Sequence, residues 1–331
     1  MKKWIASALL SLALFMAMPA SAWAQELVVG GQAVGIRVET PGVMVVGLAS
    51  VETAEGSCSP AADAGFQTGD IVTKIGETEI HTAADFLAAV AALEGEAAEV
   101  TAKRGDKTIR LTVQPALSAE EQWMFGMLLR DGVSGIGTLT FCDPISGAFG
   151  ALGHAVSDDE TGAALPLESG RITDAQIVDV IPGTQGSPGE LNGFADAAQV
   201  LGNVEKNSDK GIFGQLLLRP AGRLAEIGQI TPGPATILCT VQAHEVEEYT
   251  VQIDRVYSEG GCRRIMLTVT DPALCERTGG IVQGMSGSPI LQDGKLVGAL
   301  THVFVAEPRR GYGLCIQDMM AEAGLTLENA A

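Results

Sequence analysis

The chain has 331 residues, 46% of them hydrophobic, with 40 Asp+Glu against 21 Lys+Arg and a formal net charge of −19. That length allows about two domains at the usual ~100–200 residues each, and the apolar content excludes a disordered chain. The acidic balance, with 5% aromatic residues and no basic run carrying interleaved aromatics, speaks against a nucleic-acid binder, which needs cations to meet phosphates. The 41 glycines, with many Val and Ile, favour a β-rich globular protein over a helical bundle.

Lys2 and Lys3 precede an apolar run from Trp4 to Met18, broken by Pro19. Ala22-Trp23-Ala24 then has the small-x-small pattern of a cleavage site before Gln25. Basic start, short apolar run and small-residue end together make an export signal. The run falls short of the ~20 residues that span a bilayer as a helix, so residues 1–24 are expected to be a cleaved signal peptide or a retained N-terminal anchor. Residues 1–24 hold two lysines and no acid, so their removal leaves 19 basic against 40 acidic residues, net −21. Cysteines stand at 58, 142, 239, 262, 275 and 315 with no C-x-x-C pair. They are equally compatible with disulfides in an oxidising compartment and with buried thiols, and no zinc-finger spacing exists.

Residues 30–115 form one compact module. Gly35-Ile36-Arg37-Val38 and Val43-Met44-Val45-Val46 predict strands, and Ser59 to Gly65 a short helix closed by glycine. Gly69-Asp70 opens the strand Ile71–Ile75. Thr82 is an N-cap for a helix over 83–93, where Phe86, Leu87, Val90 and Leu93 have helical spacing. Two strands follow near 97–103 and 108–113. The Ser-Pro-Ala-x-x-Ala-Gly-x-x-x-Gly-Asp-Ile run at 59–71 resembles a bacterial PDZ domain. The resemblance implies that an extended peptide adds as a strand beside a helix. The matching loop is Ala33-Val34-Gly35-Ile36, which puts peptide binding at Val34, Gly35 and Ile36. Lacking an aromatic lead residue, this loop suits an internal extended segment better than a free C-terminus.

Pro115 to Glu121 is a short link. Residues 122–331 alternate Gly-rich turns with strand-like runs at 135–141, 149–156, 172–181, 212–218, 235–242, 249–256, 263–270 and 289–301. Helical stretches are expected near 190–200 and 317–324. Many short strands with turn signals suggest a barrel or sandwich.

The most informative segment is Gly284-Met285-Ser286-Gly287-Ser288-Pro289. Glycines on both sides of a serine allow a tight turn that exposes its hydroxyl and lets backbone N–H groups converge, as acyl transfer requires. The segment resembles the nucleophile loop of chymotrypsin-like proteases. That match implies Ser286 as nucleophile and the N–H groups of Gly284 and Ser286 as oxyanion hole. Ile290 to Val297 predicts a hairpin around Asp293-Gly294.

A serine hydroxyl needs a base, usually histidine. The four histidines are His81, His154, His244 and His302. His81 falls in the PDZ-like module, and His244 in a charged stretch that suits a solvated turn. His154, at a strand end rich in small residues, is the expected base, and His302 the alternative that lines the cleft. For the carboxylate that orients the imidazole, composition leaves Asp158, Asp159, Asp174, Asp179 and Asp271 open. Asp271 also suits a helix N-cap before Pro272.

The chain from the PDZ-like module onward resembles the SpoIVB peptidase family, the stage IV sporulation protein B family of endospore-forming bacteria. The carriers are Gly135–Phe141, Gly150-Ala151-Leu152-Gly153-His154, Gly211-Ile212-Phe213-Gly214, Thr278–Ile290 and Thr301–Val305. The resemblance implies a PDZ domain at 30–115 followed by a divergent chymotrypsin-like β-barrel serine protease domain at 122–331. It implies a triad of His154, Asp271 and Ser286. Asp271 precedes Ser286 by only 15 residues, unlike the chymotrypsin arrangement. Met285 stands where chymotrypsin zymogens carry an aspartate, so activation through a buried N-terminal salt bridge is not expected.

The implied function is limited proteolysis by an exported serine endopeptidase, acting on itself and on a membrane-bound sporulation regulator so that pro-sigma-K can be processed. The implied place is the space between forespore and mother cell, and the mechanism needs no metal or cofactor. An envelope quality-control protease and a non-catalytic PDZ scaffold are the two other classes compatible with the chain.

Overall fold

The computed structural model describes residues 25–105, 107–158, 162–218 and 221–325. The export signal expected at 1–24 lies outside the described residues. Among the described residues no helix is long and apolar enough to cross a membrane.

The N-terminal part contains β1 (Glu26–Val29), the long β2 (Ala33–Leu48), and a small hairpin of β3 (Val51–Thr53) and β4 (Gly56–Cys58). Helix α1 (Pro60–Ala64), β5 (Ile71–Ile75) and β6 (Thr78–Glu79) follow, then α2 (Ala83–Ala92), β7 (Ala98–Arg104) and β8 (Lys107–Val113). Thr82 caps α2 as expected. Its side chain accepts from the Asp85 N–H while the Asp85 carboxylate accepts from the Thr82 N–H, a capping box. Phe86 and Val90 of α2 pack with Val43, Val45, Val72 and Val100 into one core. Arg104 closes the module with a bidentate pair on the fully buried Asp70 carboxylate, at 2.6 and 2.7 Å. A charge buried in this way needs such a partner.

Two short strands, β9 (Ala116–Leu117) and β10 (Trp123–Met124), flank the link and pair with each other. The next stretch holds β11 (Met127–Cys142), β12 (Ala148–Ala151), β13 (Ser169–Ile181), β14 (Glu190–Ser208), β15 (Gly211–Leu216) and β16 (Leu224–Glu226). These strands join β1, β2, β5, β7 and β8, and with β6 attached at β5 they make one twelve-stranded sheet. The remainder is β17 (Gly233–Gln242), β18 (Glu245–Glu259), β19 (Cys262–Val269), α3 (Pro272–Thr278), β20 (Pro289–Gln292), β21 (Lys295–Val303), β22 (Arg310–Cys315) and α4 (Ile316–Glu322). Its six strands close a barrel in the order β17-β18-β19-β22-β21-β20. Ile237, Ile253, Ile265 and Leu267 are fully buried in its core, each contributing roughly 1.5–3 kcal/mol by leaving water. The fold is mainly β, as the sequence predicts. The Asp293-Gly294 hairpin forms, with both residues in the left-handed region between Gln292 and Lys295.

Two expectations are corrected. Residues 190–200, alanine-rich and expected to be helical, lie in strand β14. Their neighbours in β13 pair with them from Ile181↔Glu190 to Thr173↔Val200, and this tertiary pairing overrides local helix propensity. The second concerns Val34, Gly35 and Ile36, expected to receive a peptide. Gly35 pairs with Ile136 of β11 on one edge and with Thr173 of β13 on the other. A Cβ on Gly35 would stand 2.4 Å from the Ala195 Cβ and 2.6 Å from the Thr173 Oγ1. The close approach that glycine permits here is used by the protein's own strands, and no open edge is left for a ligand.

Candidate active site

The loop between α3 and β20 carries Ser286, and β11 holds that loop in place. The Thr138 N–H donates to the Ser286 carbonyl at 2.9 Å, and the Thr138 hydroxyl to the Gly284 carbonyl at 3.0 Å. Thr140 donates to the Gly287 carbonyl at 2.8 Å. The buried Ser288 hydroxyl donates to the Met285 carbonyl at 2.6 Å and tightens the turn. Gly287 sits at φ +98°, and a Cβ there would meet the Thr138 carbonyl oxygen at 2.0 Å. Glycine is therefore required both for backbone conformation and for space. Met285 is fully buried in the barrel core.

The N–H groups of Gln283, Met285, Gly287 and Ser288 donate to backbone carbonyls. Those of Gly284 and Ser286 meet no acceptor among the described residues. The two donors expected to form the oxyanion hole are thus the uncommitted ones of the loop.

His154 follows β12 and lines the same cleft as Ser286, a concavity of about 910 Å³. Its Nδ1 lies 2.8 Å from the Ala155 carbonyl. A carbonyl only accepts, so Nδ1 carries the proton and Nε2 keeps its lone pair. Burial holds the imidazole below its ordinary pKa, and the Ala155 carbonyl partly offsets this. His302, at the end of β21, stacks against it with ring centroids 4.6 Å apart. Desolvation, the neighbouring His154 and Arg264 push the His302 pKa down to about 4. The Ser286 hydroxyl donates to the Thr301 carbonyl at 2.6 Å, so its proton rests beside His302 on β21 rather than on an imidazole.

Asp271 is not brought to His154. It is the N-cap of α3, where its Oδ1 accepts from the Ala273 and Leu274 N–H groups at 3.0 and 3.2 Å. Its Oδ2 accepts from the Thr250 N–H at 3.2 Å. These bonds to the charged form outweigh desolvation and lower its pKa. The expectation that Asp271 holds the imidazole is corrected: that proton goes to the Ala155 carbonyl, and the carboxylate caps a helix. Of the other candidates, Asp174 pairs with His244 at 3.1 Å, and Asp159 lies outside the described residues.

The cleft also takes in residues that sequence reasoning missed, among them Val133, Ser134, Glu190 and Leu191. Thr138 and Thr140 lay within the Gly135–Phe141 motif, but their role in pinning the serine loop follows only from the fold. The six cysteines are all free thiols, and Cys142, Cys239, Cys262 and Cys315 are buried.

The family profile described as SpoIVB peptidase S55 matches residues 121–320, and that of the PDZ domain matches residues 34–114. A Clostridium perfringens (strain 13 / Type A) protein named "Putative zinc metalloprotease CPE1693" is 36% identical over 69 residues, 21% of each chain. The chain thus spans about a fifth of the length of that curated relative. Among solved structures, the active form of the Rv3671c protease from M. tuberculosis superposes with a TM-score of 0.34 at 13% identity, covering 59% of this chain and 76% of that one. The inactive Ser343Ala mutant of Rv3671c superposes with a TM-score of 0.31 at 12% identity, covering 57% and 82%.

Proposed function

This chain belongs to the SpoIVB peptidase S55 family, and from that premise we propose that it is an exported serine endopeptidase of sporulation signalling. It is a serine peptidase with a PDZ domain, so its substrates are protein chains. In this reading it cuts itself and a membrane-bound regulator, in the space between forespore and mother cell, so that pro-sigma-K processing can proceed.

The observation that carries the reading is the meeting of His154 and Ser286 in one cleft, beside two uncommitted N–H donors. For catalysis the Ser286 hydroxyl exchanges the Thr301 carbonyl for His154 Nε2, the ring nitrogen that the Ala155 contact leaves free to accept. Nε2 takes the proton as Oγ attacks the scissile carbonyl, and the N–H groups of Gly284 and Ser286 receive the oxyanion. His154 then gives the proton to the leaving amine, and water releases the acyl group by the reverse sequence. The Ala155 carbonyl fixes the tautomer through Nδ1–H. A carbonyl dipole stabilises an imidazolium less than a carboxylate does, so slow turnover follows, which suits limited proteolysis rather than bulk degradation.

The test compares purified residues 25–331 with the Ser286→Ala variant by gel and intact mass over time. The reading expects the parent to trim itself and the variant to stay whole. Equal trimming of both overturns it.

A further inference from the structure

The edge of β11 between the PDZ domain and Ser286 is open. β1 and β2 line one side of β11 throughout, from Leu48↔Met127 to Val28↔Cys142. On the other side β12 begins only at Leu139. Thr138 meets that second side: its N–H donates to the Ser286 carbonyl and its carbonyl accepts from the Leu152 N–H. In an antiparallel ladder, alternate residues point their backbone groups the same way. The N–H and C=O groups of Ile136 and Ser134 therefore point with those of Thr138, away from β2. Among the described residues no strand pairs with Met127–Ile136 on this side. Val133, Ser134, Gly135 and Ile136 line the cleft that holds His154 and Ser286.

The other end of the same edge belongs to the PDZ domain. Met127 and Leu129 pack on its core, while Leu128 is 56% exposed. Helix α2 is tied to this strand, because Asp131 Oδ2 accepts from the Ala83 N–H at 3.3 Å. Just upstream, Phe125 meets Phe86 of α2 edge-on, with centroids 5.8 Å apart. A PDZ-type ligand adds to a strand edge beside a helix. Here β11 offers that edge, whereas Val34–Ile36 is enclosed on both sides.

We propose that Met127–Ile136 is the docking strand for the substrate polypeptide, which adds antiparallel to it and runs from Ser286 to α2. The inference rests on the peptidase reading above and deepens it. An unpaired ladder of N–H and C=O groups is complementary to an extended main chain and to few other ligands. The occupant is thus an unfolded or extended protein segment. Its scissile bond lies at Ser286, and about ten residues on its C-terminal side cover the edge, a span of about 33 Å at ~3.3 Å per residue. Recognition by the PDZ domain and delivery to the nucleophile then share one strand.

The test uses the protein over residues 25–331 and peptides built around a bond that it cuts in unfolded casein. The N-terminal side of each peptide is held constant, and the C-terminal side is extended from two to six, ten and fourteen residues. The expected result is a rise in kcat/KM of at least tenfold up to about ten residues and a plateau beyond. N-methylation of alternate amides in that flank should abolish the gain, whereas alanine substitutions there should keep most of it. Ser134→Pro removes an outward N–H without breaking the β2 ladder, and should collapse the ratio of long-peptide to short-peptide kcat/KM toward one. Ser286-dependent cleavage with no dependence on C-terminal length, or an undiminished gain after N-methylation, overturns the docking strand alone. Absence of Ser286-dependent cleavage of every peptide overturns the peptidase reading beneath it.

Discussion

The Ser286 hydroxyl is hydrogen-bonded to the Thr301 carbonyl at 2.6 Å, while His154, across the same cleft, spends its Nδ1 proton on its own neighbour's carbonyl. Nucleophile and base line one cleft, and the hydroxyl is bonded to the Thr301 carbonyl rather than to the imidazole. Removing either partner disables proton transfer. Ser286→Ala and His154→Ala should each lower kcat by roughly 10⁴–10⁶, and the double variant should lose little more, because the pair acts as a unit. Steady-state kinetics on a cleaved peptide checks this. Additive losses would contradict it.

Asp271 separates two accounts of the site. As an α3 cap, it can be replaced by Asn, which caps equally well. Asp271→Asn should therefore keep kcat within about twofold. Asp271→Ala should lose about 1 kcal/mol of stability, read as a Tm drop of roughly 2–4 °C. A triad carboxylate would instead cost about 10⁴ in kcat on conversion to Asn. Such a loss in a folded Asp271→Asn protein would restore Asp271 to the imidazole.

The acidic limb of the pH–rate profile reports His154. Burial lowers its pKa from 6.5, so the imidazole stays neutral, and competent as a base, below the pH at which a free one protonates. The kcat/KM of the free enzyme should fall with a midpoint below 6.5. A midpoint above 7 would require a carboxylate partner that stabilises the imidazolium. The sign for stability is the same. A histidine with a depressed folded pKa binds its proton more readily when unfolded, so stability falls as pH drops from 6.5 through the folded value. His302, with its pKa at about 4, extends that window downward.

Thr138 is a positioning residue, holding the nucleophile loop by both its amide and its hydroxyl. Thr138→Val removes the bond to the Gly284 carbonyl and leaves that acceptor unpaired, a loss of about 1 kcal/mol or more. The expected effect is a five- to tenfold fall in kcat with KM little changed, and rescue by Thr138→Ser. A fall in KM-linked binding without rescue would mean that the hydroxyl does not position the loop.

Local chemistry made much of this molecule readable in advance. The Thr82 cap, the Asp293-Gly294 hairpin and the glycines around Ser286 each impose their conformation within a few residues. Nonlocal pairing hid the rest. Gly35 looks like a ligand loop until Ile136 and Thr173, about 100 and 140 residues away, close on both its edges. The alanine-rich 190–200 segment looks helical until β13 claims it. Asp271 satisfied a cap and a triad equally well on its local sequence, and only the positions of Thr250 and Ala155 distinguish the two.

Activation of Ser286 as a nucleophile by His154 can be read directly on the protein. The measurement is intact mass and peptide mapping of residues 25–331 after treatment with a fluorophosphonate, which phosphonylates activated serines with loss of fluoride. One adduct on Ser286, absent from a folded His154→Ala protein, is the predicted result. Labelling elsewhere, or labelling of Ser286 at the same rate without His154, would contradict it.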